Sequence, residues 1–265
     1  MGKGGEGMKY FKVLLPWFLF LLLASTSIAI DEDTLTQMIL KRFEKAKIQV
    51  PALDVPTRSP AGPQNYRRVV NAVVYIATKY GDGSGVVISQ SGMIITNWHV
   101  IEGASSVGVV FKQTIRQDKA PLKKEDIFLA KVLKTDLVRD LALLKVVSTP
   151  PGLTSVQLGS LPDVETGQDV FAISHPEGLL WSYTEGVISQ IRPNYEWRYE
   201  SGTAHRATLI QTQAVISYGS SGAPLFDGEG RLIGILVSTA GPGLNFAIAV
   251  DEKVKQFIWS ALEKR

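Results

Sequence analysis

The chain of 265 residues contains no cysteine and only three histidines. The absence of cysteine excludes disulfide bonds, a thiolate nucleophile and every zinc site that needs sulfur ligands. With so few histidines a metal centre is poorly supported, and we expect neither a metal nor another cofactor. The net charge of +3 is too small to indicate a nucleic-acid partner. Because 45% of the residues are hydrophobic and 20% charged, most of the chain is expected to fold.

Residues 1–29 have the pattern of a secretory signal. Two lysines precede an uncharged apolar segment, and the small residues Ser27 and Ala29 stand where a signal peptidase requires them, which predicts cleavage after Ala29. The alternative is an uncleaved membrane anchor, because the 18 uncharged residues 13–30 approach the length of about 20 that spans a bilayer. Both interpretations predict an exported protein, either periplasmic or extracellular.

Residues 30–65 predict an amphipathic helix followed by a linker. Within Asp31–Ile48 the apolar residues recur at helical spacings of three and four, namely Leu35, Met38, Ile39 and Phe43. We expect this helix to dock on its own domain, with a partner-binding or oligomerising arm as the alternative. Four prolines between Pro51 and Pro63, with Ser59, Gly62 and Asn65, then predict an extended linker. The main domain is therefore expected to occupy residues 66–265.

After Tyr66 the sequence consists of short β-branched runs separated by turn residues. Residues 90–92 and 227–230 have the composition of hairpin loops. Many short strands without helical crossovers favour an all-β domain, an antiparallel barrel or sandwich, over a doubly wound parallel sheet. The end of the chain differs, because its apolar residues repeat helically and predict a C-terminal amphipathic helix: Val254, Phe257, Ile258 and Leu262.

Three short segments carry residues suited to nucleophilic catalysis. His99 follows one predicted strand, Asp140 opens the apolar run of another, and Ser221 lies in the turn Gly-Ser-Ser-Gly. Acyl transfer by serine needs a base to take the hydroxyl proton and an acid to orient the imidazole. Each motif alone is weak, since a single histidine beside a strand is more often a packed or solvated residue. Together, and in the order His, Asp, Ser, they match the chymotrypsin arrangement.

The same glycine-rich turn predicts an oxyanion hole. Glycine permits unusual backbone dihedrals, so the amides of Gly219 and Ser221 can point to one place, and Ser220, which lies between them in the same turn, is included in the predicted oxyanion hole. The other two histidines are assigned to structure. His175 lies in a Pro/Gly turn and is the substitute base if His99 does not serve, and His205 is expected to be exposed.

The segments GDGSGVVISQSGMIITNWHVIEGA, TDLVRDLALLKV and QTQAVISYGSSGAPLFDGEGRLIGILVSTAG resemble the protease domain of HtrA/DegP-like enzymes, which are trypsin-like serine proteases. The resemblance is collinear over about residues 66–260. It implies two six-stranded antiparallel β-barrels with the active site between them. His99 and Asp140 would come from the first barrel and Ser221 from the second. Ser220 stands where the family usually has Asn, Ala223 where it usually has Gly, and a PDZ domain is not expected.

The resemblance also implies a substrate pocket. Its base corresponds to Val215, six residues before the nucleophile, and its wall to Ser238, Thr239 and Ala240. A basic substrate side chain would need a buried acid at the base, which Val215 does not supply. The expected preference is therefore for small to medium apolar side chains at the P1 position.

These observations predict an exported, cofactor-independent serine endopeptidase that acts on protein or peptide substrates, in quality control or processing in the cell envelope. Assembly into a homo-oligomer and retention at the membrane through an uncleaved signal are left open. The alternative is a catalytically inactive protein that keeps the trypsin fold as a binding or scaffold module.

Overall fold

Two closed six-stranded antiparallel barrels form the core of the computed structural model. The structure describes residues 31–46, 60–115, 123–199, 202–239 and 244–262, without the side chains of 43–46, 238 and 239. The predicted signal and most of the predicted linker lie outside the described residues. The expected pair of antiparallel barrels is confirmed.

The first barrel has the strand order β1-β2-β3-β6-β5-β4. Its strands are β1 Val73–Ala77, β2 Asp82–Ser89, β3 Met93–Thr96, β4 Ser106–Phe111, β5 Ile127–Asp136 and β6 Leu141–Val146. The β-branched runs noted in the sequence supply the buried residues of these strands, because branched side chains pack well on a pleated surface. The predicted loop at residues 90–92 joins β2 to β3, and Gly92 takes the positive φ of 83° that this turn requires.

The second barrel has the strand order β10-β11-β12-β9-β8-β7. Its strands are β7 Asp169–Ser174, β8 Ser182–Arg198, β9 Ala204–Thr212, β10 Pro224–Asp227, β11 Leu232–Thr239 and β12 Asn245–Ala249. The second predicted hairpin loop joins β10 to β11. At 17 residues β8 is much longer than its neighbours, and the β8–β9 hairpin extends beyond its own barrel.

Helix α1, Glu32–Ala46, packs on the first barrel. Asp31 caps its first turn, since the carboxylate accepts a hydrogen bond of 2.9 Å from the amide of Thr34. Leu35 and Ile39 are buried, and Ile39 lies directly over Gly108 of β4, where an added Cβ would come within 2.1 Å of it. The predicted helix is thus present and is docked on its own domain.

Helix α2, Gly62–Val69, begins inside the segment predicted as an extended linker. The linker prediction is therefore wrong for residues 62–65. Pro63 lies in the first turn, where its missing N–H removes no hydrogen bond, so proline is compatible with a helix start there.

Helix α3, Glu252–Leu262, closes the described part of the chain as predicted. Val254, Phe257 and Ile258 are buried, whereas Leu262, assigned to the same face, is 40% exposed. Within the described ranges, no helix combines the length and the apolar character needed to cross a bilayer.

Candidate active site

The side chain of Asp140 is the most completely hydrogen-bonded group at the junction of the two barrels. It is fully buried, and its carboxylate accepts hydrogen bonds from the amide of His99 at 2.9 Å, from His99 Nδ1 at 2.7 Å and from the hydroxyl of Tyr199 at 2.9 Å. Its backbone carbonyl accepts from the Trp98 amide at 3.1 Å and from Asn97 Nδ2 at 3.0 Å. A buried carboxylate requires this degree of hydrogen bonding because it has left water.

The backbone of Asp140 is also unusual, with a positive φ of 55°. Among non-glycine residues, aspartate is one of the few that adopt this left-handed conformation readily. The five hydrogen bonds hold it there, so the carboxylate has one defined position immediately before β6.

The contact between His99 and Asp140 determines which ring nitrogen carries the proton. An ionised carboxylate can only accept hydrogen bonds, so Nδ1 of His99 must be the donor. In the neutral ring the lone pair then lies on Nε2. This is the tautomer that a general base needs, and the side chain of His99 is 24% exposed and open to a reactant.

Ser221 lies in the turn before β10, close to this pair. Its hydroxyl donates a hydrogen bond of 3.5 Å to the carbonyl of Val237. The same carbonyl accepts from Tyr199 at 3.4 Å, and Tyr199 in turn contacts Asp140. The three predicted catalytic side chains therefore share one neighbourhood. Among the hydrogen bonds of the described residues there is none between Ser221 Oγ and His99, so the hydroxyl faces Val237 in this conformation.

In the turn that carries Ser221, two backbone N–H groups have no hydrogen-bond acceptor among the residues that the structure describes. The carbonyl of Tyr218 accepts a hydrogen bond of 2.8 Å from the amide of Glu177. Because a trans peptide points its C=O and N–H in opposite directions, this contact aims the N–H of Gly219 away from Glu177. Within the described part of the chain, neither the Gly219 amide nor the Ser221 amide has an acceptor. Two such donors on one turn are what an oxyanion hole requires.

Ser220 does not supply a third donor, which corrects its inclusion in the predicted oxyanion hole. Its amide donates to the carbonyl of Ser217 at 3.0 Å. Its fully buried hydroxyl lies 3.2 Å from the hydroxyl of Ser174 and accepts from the Ser217 amide at 3.3 Å. Ser220 thus stabilises the turn from inside.

Two glycines of the turn are required by its geometry. Gly219 has φ of 88°, and a Cβ there would lie 2.3 Å from the carbonyl oxygen of His175. Gly222 has φ of 83°, and a Cβ there would lie 2.1 Å from the carbonyl oxygen of Ser84 and 2.2 Å from Thr96 Oγ1. Any side chain at either position would displace the turn.

Ala223, by contrast, fits its position although the family usually has glycine there. It is not among the described residues with positive φ. Its methyl group is fully buried, its amide donates to Ser220 at 3.0 Å, and its carbonyl accepts from Leu236 at 2.8 Å. The departure from the family pattern therefore places no strain on the turn.

A buried pair, Ser84 and His175, supports the turn from behind. The hydroxyl of Ser84 donates to the carbonyl of Gly219 at 2.8 Å and lies 2.8 Å from His175 Nδ1. Since Ser84 has one proton, Nδ1 of His175 must be the donor to it. Burial, reinforced by the charge of Lys112, lowers the pKa of His175 to about 3. His175 is therefore neutral and buried, and it is not placed to replace His99 as base.

His205 was expected to be exposed, and this is wrong because it is only 2% exposed. Residues alternate between the two faces of β9, and His205 lies on the inner one. Its Nδ1 donates to the carbonyl of Leu137 in the first barrel at 2.7 Å. The alternation along residues 204–212 was the available signal for this burial.

The predicted substrate pocket is only partly described. Val215, the predicted base of the pocket, is 65% exposed, while its neighbours Ala214 and Ile216 are buried. Ser238 and Thr239 lie on β11, where they pair with β12. Ala240 lies outside the described residues. In the described ranges no three acidic or histidine side chains are grouped to hold a metal ion.

Residues 83–235, more than half of the chain, match the family described as trypsin-like peptidase domain. The chain belongs to this family. The matched segment of this trypsin-like peptidase domain contains His99, Asp140 and Ser221.

The resemblance to HtrA-like proteases is confirmed by its relatives. The chain is 38% identical over 178 residues to the chloroplastic protease Do-like 1 of Arabidopsis thaliana, covering 64% of this chain and 37% of the relative. It is 34% identical over 176 residues to the serine endoprotease DegS of Haemophilus influenzae, covering 64% of this chain and 47% of the relative. The chain thus spans less than half the length of these curated relatives.

Solved structures show the same fold. The HtrA-type protease AlgW with tripeptide superposes with a TM-score of 0.63 and 28% identity, covering 77% of this chain and 64% of that one. The Rv3671c protease in its inactive form has a TM-score of 0.62 at 24% identity, covering 78% of this chain and 98% of that one.

Proposed function

We propose that this trypsin-like peptidase domain is a serine endopeptidase. The observation that carries the proposal is the pairing of His99 and Asp140 beside a turn in which the Gly219 and Ser221 amides have no acceptor among the described residues. The first arrangement supplies a base in the correct tautomer. The second supplies donors for a negatively charged oxygen.

Hydrolysis would proceed in two half-reactions. The Ser221 hydroxyl turns from Val237 to His99 Nε2, gives up its proton and attacks the carbonyl carbon of the substrate, while the amides of Gly219 and Ser221 hold the oxyanion. His99 then protonates the leaving amine, the C–N bond breaks, and an ester on Ser221 remains. Water, deprotonated by His99, hydrolyses this ester and restores the serine.

Labelling with a fluorophosphonate, together with hydrolysis of a peptide substrate, tests this function. The wild-type chain is expected to form one adduct at Ser221 and to cleave peptide. Ser221→Ala and His99→Ala are expected to do neither. Ser91→Ala, which removes an exposed hydroxyl in the β2–β3 loop, is the matched control and should label normally. Adduct formation elsewhere, or hydrolysis that survives Ser221→Ala, would contradict the mechanism.

One observation favours the second candidate function, a catalytically inactive scaffold. Ser221 Oγ contacts Val237 rather than His99 in this structure. A wild-type chain that neither labels nor cleaves peptide, although it unfolds cooperatively, would support the scaffold and exclude the peptidase.

The expected preference for apolar P1 residues belongs to the same proposal. Residues 213–218, which precede the oxyanion turn, contain no charged side chain that could pair with a basic substrate. Cleavage of a peptide library is expected to favour Val, Ala or Leu at P1. A profile dominated by Lys or Arg would overturn this preference.

Export and action in the cell envelope are proposed from residues 1–29. Sequencing the N-terminus of the mature protein is expected to find Ile30 first if the signal is cleaved. Recovery of the intact N-terminus in the membrane fraction would instead identify an anchor, and recovery of the intact chain in the cytosol would contradict export.

A further inference from the structure

Tyr199 reaches the active site from the opposite barrel. It follows directly on β8, at the far end of the long β8–β9 hairpin. Its hydroxyl donates to Asp140 Oδ2 at 2.9 Å, and its ring centroid lies 4.9 Å from that of His99. A side chain of the second barrel thus contacts both the acid and the base supplied by the first.

The hairpin that carries Tyr199 is fastened to the first barrel independently of the catalytic pair. The amide of Arg206 donates to the carbonyl of Val138 at 2.7 Å, and Nδ1 of His205 donates to the carbonyl of Leu137 at 2.7 Å. The His205 ring also packs on Tyr199, with centroids 5.2 Å apart. These contacts fix the hairpin beside the β5–β6 turn, so the phenol has a supported position.

Tyr199 and His99 donate to the same carboxylate oxygen. Asp140 Oδ2 receives Nδ1–H of His99 at 2.7 Å and the Tyr199 hydroxyl at 2.9 Å. Two donors on one oxygen, with the His99 amide on the other, fix the plane of the carboxylate and hence the direction in which the imidazole is held. Burial and the charge of Asp140 raise the pKa of Tyr199 well above its usual value, so the phenol stays protonated and continues to donate.

We propose that Tyr199 is a positioning residue for hydrolysis, which orients the Asp140 carboxylate and covers the His99 ring so that Nε2 faces the serine. This inference rests on the proposed peptidase function. It makes the catalytic pair depend on the β8–β9 hairpin, because the positioning hydroxyl lies on that hairpin.

The test compares Tyr199→Phe with Tyr183→Phe in the full chain. Tyr183 is the matched control because it also lies in the β8–β9 hairpin and its hydroxyl also donates to a carboxylate, Glu185, at 2.7 Å. Tyr199→Phe is expected to lower kcat for a peptide substrate about tenfold with KM changed less than about twofold, since a positioning group acts on the reacting geometry. Tyr183→Phe is expected to leave both constants within about twofold of wild type.

A second measurement does not depend on turnover. The Nδ1 proton of His99, held by Asp140, is expected to give a strongly downfield proton NMR signal. Tyr199→Phe should shift or broaden this signal and Tyr183→Phe should not. Thermal unfolding of both variants checks that they fold. If Tyr199→Phe fails to fold, the hairpin variant Arg206→Pro is expected to alter the same signal, because proline cannot donate the backbone hydrogen bond that residue 206 makes to the carbonyl of Val138.

The outcomes separate the two proposals. An unchanged kcat together with an unchanged signal in folded Tyr199→Phe would overturn the role of Tyr199. A wild-type chain without activity would overturn the peptidase function, while the NMR comparison would still decide whether Tyr199 positions the pair.

Discussion

The two halves of the active site differ in how completely their polar groups are hydrogen-bonded. In the half from the first barrel, Asp140 is buried and accepts five hydrogen bonds, two of them at its backbone carbonyl. In the half from the second barrel, the amides of Gly219 and Ser221 have no acceptor among the described residues, and the Ser221 hydroxyl makes one long contact. The polar groups that orient the catalytic residues have their hydrogen-bond partners. The groups that would contact a reacting molecule largely lack partners among the described residues.

This contrast has an energetic side. A carboxylate whose oxygens all accept hydrogen bonds is held in one geometry. Backbone N–H groups without an acceptor lower the stability of the fold until a ligand accepts from them. The turn keeps its conformation because other hydrogen bonds hold its backbone. The amide of Glu177 donates to the carbonyl of Tyr218 at 2.8 Å, and the hydroxyl of Ser84 donates to the carbonyl of Gly219 at 2.8 Å. Preorganised donors of this kind stabilise a transition state without rearranging during the reaction.

The largest effect is expected from a substitution at Gly219, in the half of the active site that comes from the second barrel. Gly219→Ala places a Cβ 2.3 Å from the carbonyl oxygen of His175, at a position whose φ is positive. The turn must therefore move, and the amide of residue 219 no longer points toward the oxyanion. Loss of one oxyanion donor lowers kcat about 100- to 1,000-fold in comparable sites. Gly228→Ala is the control, because nothing lies within 4 Å of its Cβ and its φ is not positive. Equal kcat values for the two variants in a peptide assay would contradict the assignment of this turn.

A smaller effect, on the pH dependence of stability, is expected from His175, which supports the turn that carries Ser221. Unfolded histidine binds a proton near pH 6.5, whereas the pKa of the buried ring is about 3. Between these values the unfolded state takes up a proton that the folded state does not, so stability falls as the pH falls through this window. From pH 7 to pH 5 the loss amounts to about 2 kcal/mol.

His175→Asn isolates this contribution because asparagine keeps an N–H donor for Ser84 but does not titrate. Urea unfolding of both proteins at pH 7 and pH 5 is expected to show the extra acid sensitivity in the wild type alone. Parallel losses in the two proteins would mean that the ring is not buried as described.

The smallest effect is expected at Ala223. Because this residue has no positive φ, Ala223→Gly is expected to leave kcat within about twofold of wild type and to cost about 1 kcal/mol of stability, through a lost buried methyl group and a more flexible unfolded chain. Peptide hydrolysis and urea unfolding measure the two quantities. A marked gain in activity would show that Ala223 does restrict the turn.

The architecture was predictable because short-range patterns in the sequence indicate its strands and turns. Short β-branched runs and the glycines at 92 and 230 mark the strands and hairpins, and the order of His99, Asp140 and Ser221 pointed to one arrangement of the site. The contacts that Tyr199 and His205 make with the first barrel could not be found this way. Their partners lie 59 and 68 residues away on another barrel, and only the length of the β8–β9 hairpin brings them together.

Other differences have equally specific causes. The proline pattern around Gly62 reads as a linker, but proline in a first helical turn loses no hydrogen bond, so α2 begins there. The exposure of Val215 depends on which face of an extended segment meets the interior, and a position counted from the nucleophile does not fix that face. A hydrophobic period of two or four residues can be read directly from the sequence. Which residues of that period face the core is harder to read.

The two rings of strands close through backbone hydrogen bonds alone, and no thiol is present anywhere in the chain. No disulfide bond can therefore form or be reduced within this chain, whatever the redox conditions. Maturation requires neither an oxidase nor an isomerase for sulfur pairing, and strong reductants can be added to any assay of this chain without cutting a cross-link.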